Sequence, residues 1–492
     1  MGTVPDMVAS TALRSPDSMC VSHVESGRML TFADVHDRAN RLVAAFRTHG
    51  IDRGDRVALL ARNEIEFVEL VVACQRAGAI LTPLNHRLSG GELRWLVDDA
   101  RPAVLVVGAG VIPPAVDTPV WWLGDQDGPG ARYEALLTDH APRRERATIS
   151  AEEICTLLYT SGTTGTPRGV CISNRAIFAR ACSYVAELMI TAHDVFLQPM
   201  PLFHISAHVS LAFTYRGAAN VIARDFDPDA VVASIGRHGV TQMLLVPTAM
   251  KALCDVEPSR DQTSTLRCLS YGGSTISAEL VARTSAILGC DLVQFYGMTE
   301  LGAATVLRAD DHTRPELLPA AGVEDLCTEV VVLDLADGAP APVGVHGEIA
   351  ARGPSAMSGY WGADPVGNGW IRTGDLGYRD AEGYLFVVDR LKDIIVSGGE
   401  NVASRQVEEV VATHPDVEEV AVIGRPDPHW GEVVHAVVRP RPGTTVDLAS
   451  VQAHCAGRLA RYKVPRSLSV VEDMPRTAAG KVPKAELRRR YG

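Results

Sequence analysis

Two hydrophobic patterns alternate through the first two thirds of the chain. Residues 67–79 (FVELVVACQRAGA) repeat apolar positions at helical spacing and predict a helix that ends near Gly78. Short apolar runs predict buried strands, and they are ILTPLN at 80–85, AVLVVG at 103–108 and VTQMLLVP at 240–247. Strands that alternate with helices predict a mostly parallel sheet with helices on both faces.

The pattern changes after about residue 330. Residues 329–353 and 378–390 each read as strand, turn and strand, with Asp-Gly and Glu-Gly turns, and predict a small antiparallel, β-barrel-like unit. From residue 391 the order is βαββαβ-like. Ser404 is placed to cap a helix through about Thr413. Strands at 417–424, 432–440 and 467–472 and a helix at 448–462 complete a small α+β domain of roughly 100 residues.

Composition and charge narrow the function classes. The 492 residues predict more than one domain, and 46% hydrophobic content is typical of a globular protein. With 47 Lys and Arg against 59 Asp and Glu, the net charge of −12 argues against broad nucleic-acid binding, although a local basic pocket stays possible. The sequence contains no run of about 18 apolar residues, so no membrane span is predicted.

The cysteines and the chain ends predict a cytoplasmic location. The ten cysteines include no C-x-x-C pair, a distribution typical of reduced thiols. The first residues lack a basic segment followed by an apolar core, so we expect no signal peptide. The final RYG is not a peroxisomal address.

Residues 159–170 (YTSGTTGTPRGV) form a segment rich in glycine and hydroxyl side chains after an apolar strand. Glycines let backbone N–H groups approach a ligand, and hydroxyls add donors, so the segment is a candidate anion cradle. A flexible surface turn is the alternative that these residues alone leave open.

The spacing of the motif residues argues against several other kinds of binding or catalytic site. The segment lacks the P-loop lysine, and VVGAGVIPP at 106–114 lacks the third glycine of a dinucleotide site. No G-x-S-x-G nucleophile elbow is completed. His204 and His208 are four apart, but no glutamate follows the first, which disfavours a zinc site.

Eight motifs together decide between these alternatives. They are YTSGTTGTPRGV at 159, PLFH at 201, YGGSTIS at 271, YGMTE at 296, GEIAARG at 347, TGD at 373, DRLKDIIVSGGENV at 389 and PRTAAGKV at 475. In this order they resemble the adenylate-forming superfamily of acyl- and aryl-CoA synthetases, luciferases and peptide-synthetase adenylation domains. The resemblance covers essentially the whole chain and is most like an acyl- or aryl-CoA ligase.

The resemblance implies a two-step reaction. A carboxylate attacks the α-phosphate of ATP to give an acyl-adenylate and pyrophosphate, and a second nucleophile then displaces AMP. The anionic carboxylate must approach the polyanionic triphosphate, so we expect catalysis to come mostly from positioning and from cations. The implied catalytic residues are Lys481, Thr299 and Glu300, and Glu300 would also be the Mg²⁺ ligand.

The same resemblance implies the ATP contacts. The implied residues are Thr160, Ser161, Gly162, Thr163, Thr164 and Gly165 around the phosphates, Gly272, Gly273, Ser274 and Tyr296 at adenine, and Asp375 and Arg390 at ribose. Arg168 departs from the lysine usual in the family, and arginine differs from lysine in geometry and hydration.

In the family the second step follows a large rotation of the C-terminal domain. This implies an AMP-binding N-terminal domain at 1–388, a hinge at 389–392 that includes Lys392, and a mobile lid domain at 393–492. Gly398, Gly399 and Trp430 would line the tunnel for the second substrate.

The substrates are the least specified part. His204, Gly297, Met298 and Gly302 match positions of the acyl pocket, whose small residues suggest a medium or aromatic acid. Coenzyme A is the expected acceptor because SGGEN, WGE and RYKVP resemble CoA-ligase forms. The alternative is an amide synthetase, in which an amine captures the same adenylate. Ala207 stands where many CoA ligases have glycine. A regulator without catalysis is the other class, but it would be expected to lose Lys481, Glu300 or Asp375.

Overall fold

The computed structural model describes residues 3–124, 128–143, 148–160, 167–274, 276–366, 369–476 and 482–492. Its α-helices are α1 (Met7–Arg14), α2 (Phe32–Thr48), α3 (Glu66–Ala77), α4 (Gly90–Ala100), α5 (Tyr133–Asp139), α6 (Asn174–Glu187), α7 (Ser206–Arg216), α8 (Pro228–His238), α9 (Pro247–Asp255), α10 (Ala278–Leu288), α11 (Ser404–Val411), α12 (Leu448–Cys455) and α13 (Lys484–Tyr491).

The strands are β1 (Met19–His23), β2 (Met29–Thr31), β3 (Arg56–Leu60), β4 (Ile80–Leu84), β5 (Val104–Val107), β6 (Val120–Trp122), β7 (Ala131–Arg132), β8 (Ile154–Thr160), β9 (Arg168–Ser173), β10 (Val195–Gln198), β11 (Ala219–Ile222), β12 (Gln242–Leu245), β13 (Cys268–Gly272), β14 (Asp291–Met298), β15 (Gly302–Leu307), β16 (Val323–Glu324), β17 (Glu329–Leu333), β18 (Gly347–Arg352), β19 (Gly359–Tyr360), β20 (Ile371–Arg379), β21 (Leu385–Arg390), β22 (Ile395–Ser397), β23 (Glu400–Val402), β24 (Val417–Asp427), β25 (Gly431–Pro440) and β26 (Ser467–Val470).

The chain divides into two compact units. The first comprises Met1–Val330 and Ala351–Ile371, and the second comprises Val331–Ala350 and Arg372–Gly492. This is the mixed α/β architecture expected from the sequence, with a large N-terminal domain and a small C-terminal domain. Among the described residues, no helix is both long and apolar enough to cross a bilayer.

Two large sheets form the first unit, and both are mostly parallel. One has the order β16-β15-β14-β13-β12-β10-β11-β1-β2, and the other β19-β9-β8-β4-β3-β5-β6-β7. The apolar runs at 80–85, 103–108 and 240–247 correspond to β4, β5 and β12, and the strand–turn–strand segment at 329–353 corresponds to β17 and β18. The core around β12 and β13 buries Met243, Leu245, Leu269 and Tyr271 completely, because strands of a parallel sheet are covered on both faces.

The predicted end of helix α3 at Gly78 is confirmed. Gly78 adopts the left-handed conformation with φ of 76°, and its N–H donates to the Cys74 carbonyl. A Cβ atom at this position would also lie 2.9 Å from side-chain atoms of Arg53 and Ile149. Glycine therefore ends the helix and lets β4 begin two residues later.

The second unit carries a four-stranded sheet, β17-β18-β20-β21, and a five-stranded sheet in which β26 pairs with β25. β20 and β21 are antiparallel, as the Glu-Gly turn predicts. The helix predicted at 448–462 is shorter than expected, because α12 ends at Cys455 and Ala456 is already extended.

The prediction that Ser404 caps α11 is wrong. Ala403 occupies the N-cap and Ser404 is the first helical residue. The Ser404 hydroxyl instead donates to Asp389 Oδ2 at 2.7 Å, and the same carboxylate oxygen accepts the Arg405 backbone N–H at 3.1 Å. A carboxylate from another strand thus performs the capping that a local serine would otherwise provide.

Candidate active site

The hairpin between β14 and β15 carries Thr299 and Glu300. Met298 lies opposite Gly302, and the register shifts between Tyr296 and Gly297. A Cβ on Gly297 would lie 1.9 Å from the Gly302 carbonyl oxygen, and Gly302 itself has φ of 80°. Because only glycine fits at both positions, the sequence fixes the tight turn that presents Glu300.

Glu300 is held by a segment that lies about 60 residues further along the chain. Its side chain is 7% exposed, and the Tyr360 hydroxyl donates to Oε1 at 3.0 Å. The Met357 N–H donates to the Glu300 carbonyl at 2.7 Å. Burial, and then the Glu300 carboxylate, raise the pKa of Tyr360, so this phenol stays a donor at neutral pH.

One end of the glycine-rich segment is linked to this hairpin through Tyr360. Thr160 ends β8 and is paired with Arg168, the first residue of β9. The Arg168 guanidinium carbon lies 5.3 Å from the ring centroid of Tyr360. The predicted phosphate contacts between these two residues lie outside the described residues, and they are Ser161, Gly162, Thr163, Thr164 and Gly165.

The predicted adenine-binding residues lie on adjacent parallel strands. Gly272 ends β13 and is paired with Phe295 of β14, next to Tyr296. A Cβ on Gly272 would lie 2.3 Å from the Phe295 carbonyl oxygen, and Gly273 follows with φ of 83°. Ser274 continues this turn. The carboxyl ends of neighbouring parallel strands are a common ligand site in α/β sheets, and here they join the Glu300 hairpin.

Arg180 is the main residue of this region that the sequence analysis missed. It is 1% exposed on α6, and it donates from Nη2 to the Thr299 carbonyl at 3.0 Å and from Nε to the Ser355 carbonyl at 2.9 Å. Its Nη1 lies 3.1 Å from His208 Nδ1. The signal was its spacing, since Arg180 is three residues after buried Ile177 and four before buried Tyr184.

Charge in this network is set by burial. Burial lowers the pKa of Arg180 to about 10, so the guanidinium remains protonated at neutral pH. Burial, and then the Arg180 charge, hold the pKa of His208 well below its usual value. An arginine can only donate, so Nδ1 of neutral His208 is the acceptor. Nδ1 of His208 is therefore committed to Arg180.

The predicted acyl-pocket residues come from two elements of the first unit. His204 lies in the turn before α7, with its ring centroid 4.5 Å from that of Phe203. Gly297, Met298 and Gly302 lie on the β14–β15 hairpin. Arg180 connects the two elements, because it contacts His208 of α7 and the Thr299 carbonyl of the hairpin turn.

In the second unit, the two predicted ribose residues contact each other. Asp375 on β20 lies directly opposite Arg390 on β21. Arg390 Nε lies 2.7 Å from Asp375 Oδ1, and the Asp375 side chain is largely buried. The carboxylate is thereby fixed in one orientation.

The predicted tunnel residues also lie together in the second unit. The Gly398 N–H donates to the Trp430 carbonyl at 2.8 Å, and a Cβ on Gly398 would lie 2.7 Å from the indole. Gly399 follows in the same turn with φ of 85°. The Arg466 guanidinium carbon lies 4.4 Å from the Trp430 ring centroid, which keeps a half-exposed aromatic face next to a cation.

The predicted hinge residue Lys392 lies in the short 3₁₀ helix Leu391–Asp393. Aspartates on both sides of it are anchored, since Asp389 binds Ser404 and Asp393 accepts from Arg488 of α13 at 2.8 Å. Lys481 lies outside the described residues.

The chemistry of Glu300 fits a magnesium ion held largely by substrate. In the part of the chain that the structure describes, no group of three or more His, Cys, Asp or Glu side chains could hold a metal. Mg²⁺ commonly uses one or two carboxylates, with substrate phosphates and water as its other ligands. A single oriented carboxylate, linked through Tyr360 to Arg168 at the end of the candidate phosphate segment, meets that requirement.

Comparison with known proteins places the whole chain in one family. The profile described as AMP-binding enzyme matches residues 8–361, and that of the AMP-binding enzyme C-terminal domain matches residues 406–481. The chain is 36% identical over 489 residues to feruloyl-CoA synthase from Amycolatopsis sp, covering 98% of this chain and 97% of that one. It is 33% identical to 2-succinylbenzoate–CoA ligase from Geobacillus kaustophilus, covering 99% and 98%.

Solved structures agree. The chain superposes with a TM-score of 0.89, at 30% identity over 99% of both chains, on o-succinylbenzoate CoA synthetase (MenE) from Bacillus subtilis in complex with the acyl-adenylate intermediate OSB-AMP. The same enzyme in complex with ATP and magnesium ion gives 0.88 at 30% identity over 99% of both chains. Amide bond synthetase McbA from Marinactinospora thermotolerans gives 0.87 at 31% identity, covering 99% of this chain and 100% of that one. This chain belongs to the family of AMP-binding, adenylate-forming enzymes.

Proposed function

We propose that the protein is an AMP-forming carboxylic acid–CoA ligase. In the first step a carboxylate oxygen attacks the α-phosphorus of ATP, and the bond to pyrophosphate breaks. In the second step the thiolate of coenzyme A attacks the acyl carbonyl, a thioester forms, and AMP leaves. The observation that carries the proposal is full-length similarity to enzymes named as CoA ligases. An oriented Glu300, linked through Tyr360 to Arg168 at the end of the glycine-rich segment, supports it.

The residues divide between the two units. In the first unit, Thr160, Gly272, Gly273, Ser274, Tyr296 and Thr299 would contact ATP, together with the loop residues between Thr160 and Arg168. Glu300 would hold Mg²⁺, which neutralises phosphate charge when bound. His204, Gly297, Met298 and Gly302 would line the acid pocket. In the second unit, Asp375 and Arg390 would bind ribose, and Gly398, Gly399 and Trp430 would guide the acceptor.

The second unit would also supply the movement between the two steps. We assign the AMP-binding domain to 1–388, the hinge to 389–392 with Lys392 as pivot, and the lid domain to 393–492. Lys481 on the lid would bridge the carboxylate and the α-phosphate in the first step.

An aromatic acid is the favoured substrate class, since the two curated relatives compared above are named for feruloyl and succinylbenzoate groups. Amide formation from the same adenylate is the second candidate, and the similarity to amide bond synthetase McbA is the observation that favours it. A cytoplasmic location agrees with ten free cysteines.

Acid-dependent release of pyrophosphate from ATP tests the proposal. A panel of aryl-alkenoic, arylacetic, benzoic and medium-chain acids should include some that release pyrophosphate, and adding coenzyme A should convert the adenylate to a thioester. Consumption of the adenylate by an amine but not by coenzyme A would select the amide synthetase. Nucleotide binding without pyrophosphate release for any acid would contradict both and favour a regulator.

A further inference from the structure

We infer that Tyr360 is a positioning residue for the metal ligand Glu300, and that Arg168 holds Tyr360 in place. The inference rests on the proposed function, because it takes Glu300 as the Mg²⁺ ligand. It also gives a specific role to the arginine that stands where related enzymes usually carry lysine.

The first step of the argument is the hydrogen bond between Tyr360 and Glu300. The phenol donates to Oε1 at 3.0 Å, while the Met357 N–H fixes the Glu300 backbone carbonyl at 2.7 Å. The carboxylate is therefore restrained at both its main chain and one oxygen. No hydrogen bond to Oε2 is found among the described residues, so Oε2 is the oxygen for a cation. Partners that orient a metal ligand in this way commonly raise metal affinity.

The second step is the position of Tyr360 itself. It lies on β19, a two-residue strand at the edge of the second large sheet, where it is paired with Val170 of β9. Trp361 continues the contact, since its N–H donates to the Gly169 carbonyl at 2.7 Å. So short a strand gives little restraint to a side chain, and additional contacts are needed to fix the ring.

Arg168 supplies that contact. It lies two residues before Val170 on β9, and therefore on the same face of the sheet, diagonal to Tyr360. Its guanidinium carbon is 5.3 Å from the ring centroid. A planar guanidinium can stack on a phenol ring in a way that a lysine ammonium cannot. Arg168 thus connects the end of the glycine-rich segment to the metal ligand through one aromatic ring.

Binding of Mn²⁺, followed by electron paramagnetic resonance with α,β-methylene-ATP present, tests this without turnover. We expect Tyr360→Phe to weaken Mn²⁺ binding about tenfold, in the range found for partners of metal ligands. Arg168→Lys should weaken it about threefold in the native background and should add nothing to Tyr360→Phe, because its effect passes through the hydroxyl. Tyr215→Phe is the matched control, since that hydroxyl bonds Gln75 instead.

Two results would contradict the role of Tyr360 and Arg168. Unchanged Mn²⁺ affinity in Tyr360→Phe, or an Arg168→Lys effect of equal size in both backgrounds, overturns the inference and leaves the proposed function standing. Glu300→Gln separates the two, because unchanged Mn²⁺ affinity in that variant overturns the assignment of Glu300 as metal ligand. Thermal unfolding of every variant, measured without metal, shows whether a loss of affinity instead reflects a loss of folded protein.

Discussion

Arg180 on α6 donates a 3.0 Å hydrogen bond to the backbone carbonyl of Thr299, 119 residues further along the chain. The same guanidinium binds the Ser355 carbonyl, so it joins the Glu300 hairpin to the segment that leads to Tyr360. A fully buried cation can satisfy several carbonyls at once because its donors are arranged in a planar fork. The position of Glu300 therefore depends on a residue with no role of its own in the sequence motifs.

We predict that Arg180→Met lowers the rate of adenylation by about ten- to a hundredfold, as for loss of a residue that orients a metal ligand. It should also reduce stability, since each buried carbonyl left without a donor costs about 1–3 kcal/mol. Pyrophosphate release and urea unfolding measure the two effects. Arg180→Lys, which keeps the charge but has a single donor group, should lie between the native protein and Arg180→Met.

A control variant distinguishes the site from the fold. Arg283→Met removes an arginine that binds Asp255 and the Cys254 carbonyl on α9, and we expect near-native adenylation. Equal losses of rate in the Arg180 and Arg283 variants would contradict the positioning role.

Lys481→Ala should lose adenylation by orders of magnitude and still bind ATP. A unit charge about 4 Å from the reacting anions, at an effective dielectric near 20, contributes about 4 kcal/mol, or roughly a thousandfold in rate. Pyrophosphate release and equilibrium ATP binding measure the two properties. Lys251→Ala, which removes an exposed lysine paired with Asp255, is the control, and near-normal pyrophosphate release from Lys481→Ala would refute the assignment.

Lys392→Pro should spare adenylation and impair acyl transfer. Proline fixes φ near −65° and restricts the residue before it, so it opposes any rotation centred on Lys392. Single-turnover assays that start from ATP and acid, or from preformed adenylate and coenzyme A, separate the two steps. Lys392→Ala, which keeps backbone freedom, should transfer normally; an equal loss in both steps for the proline variant would argue against the hinge.

Stability should fall as the pH falls from about 6.5 toward 4 because of His435. Its ring is buried between the hydroxyls of Ser467 and Ser469, and burial, with a smaller contribution from Arg425, lowers its pKa to about 4. Above about 6.5 both folded and unfolded chains carry neutral imidazole. Below that value the unfolded chain binds the proton first, which costs up to about 1.4 kcal/mol of stability per pH unit.

Urea unfolding of the full chain between pH 7.5 and 5 checks this prediction. His435→Gln should show a shallower loss of stability than the native protein over the same range. His429→Gln, at an exposed position in the same unit, should follow the native curve. A His435→Gln curve parallel to the native one would show that other groups cause the pH dependence.

The fold could be predicted well from local patterns. The end of α3 at Gly78 is predicted from the conformational freedom of glycine. The turn at Gly297 and Gly302 is not predicted, because the need for glycine at position 297 comes from the close approach of the Gly302 carbonyl. Ser404 shows where prediction from local sequence fails. Its sequence position suits a cap, but the approach of Asp389 from β21 assigns its hydroxyl to another partner, and a local pattern carries no information about that approach.

The sequence by itself determined the family, the order of the motifs and the chemical types of the candidate site residues, because these depend on neighbours along the chain. Only the tertiary structure decided which side chains hold those residues in place. Tyr360 reaches Glu300 across 60 residues, and Arg180 reaches Thr299 across 119. Such contacts arise when separate strands and helices pack to bury apolar surface, and packing brings together polar groups whose separation in sequence is arbitrary.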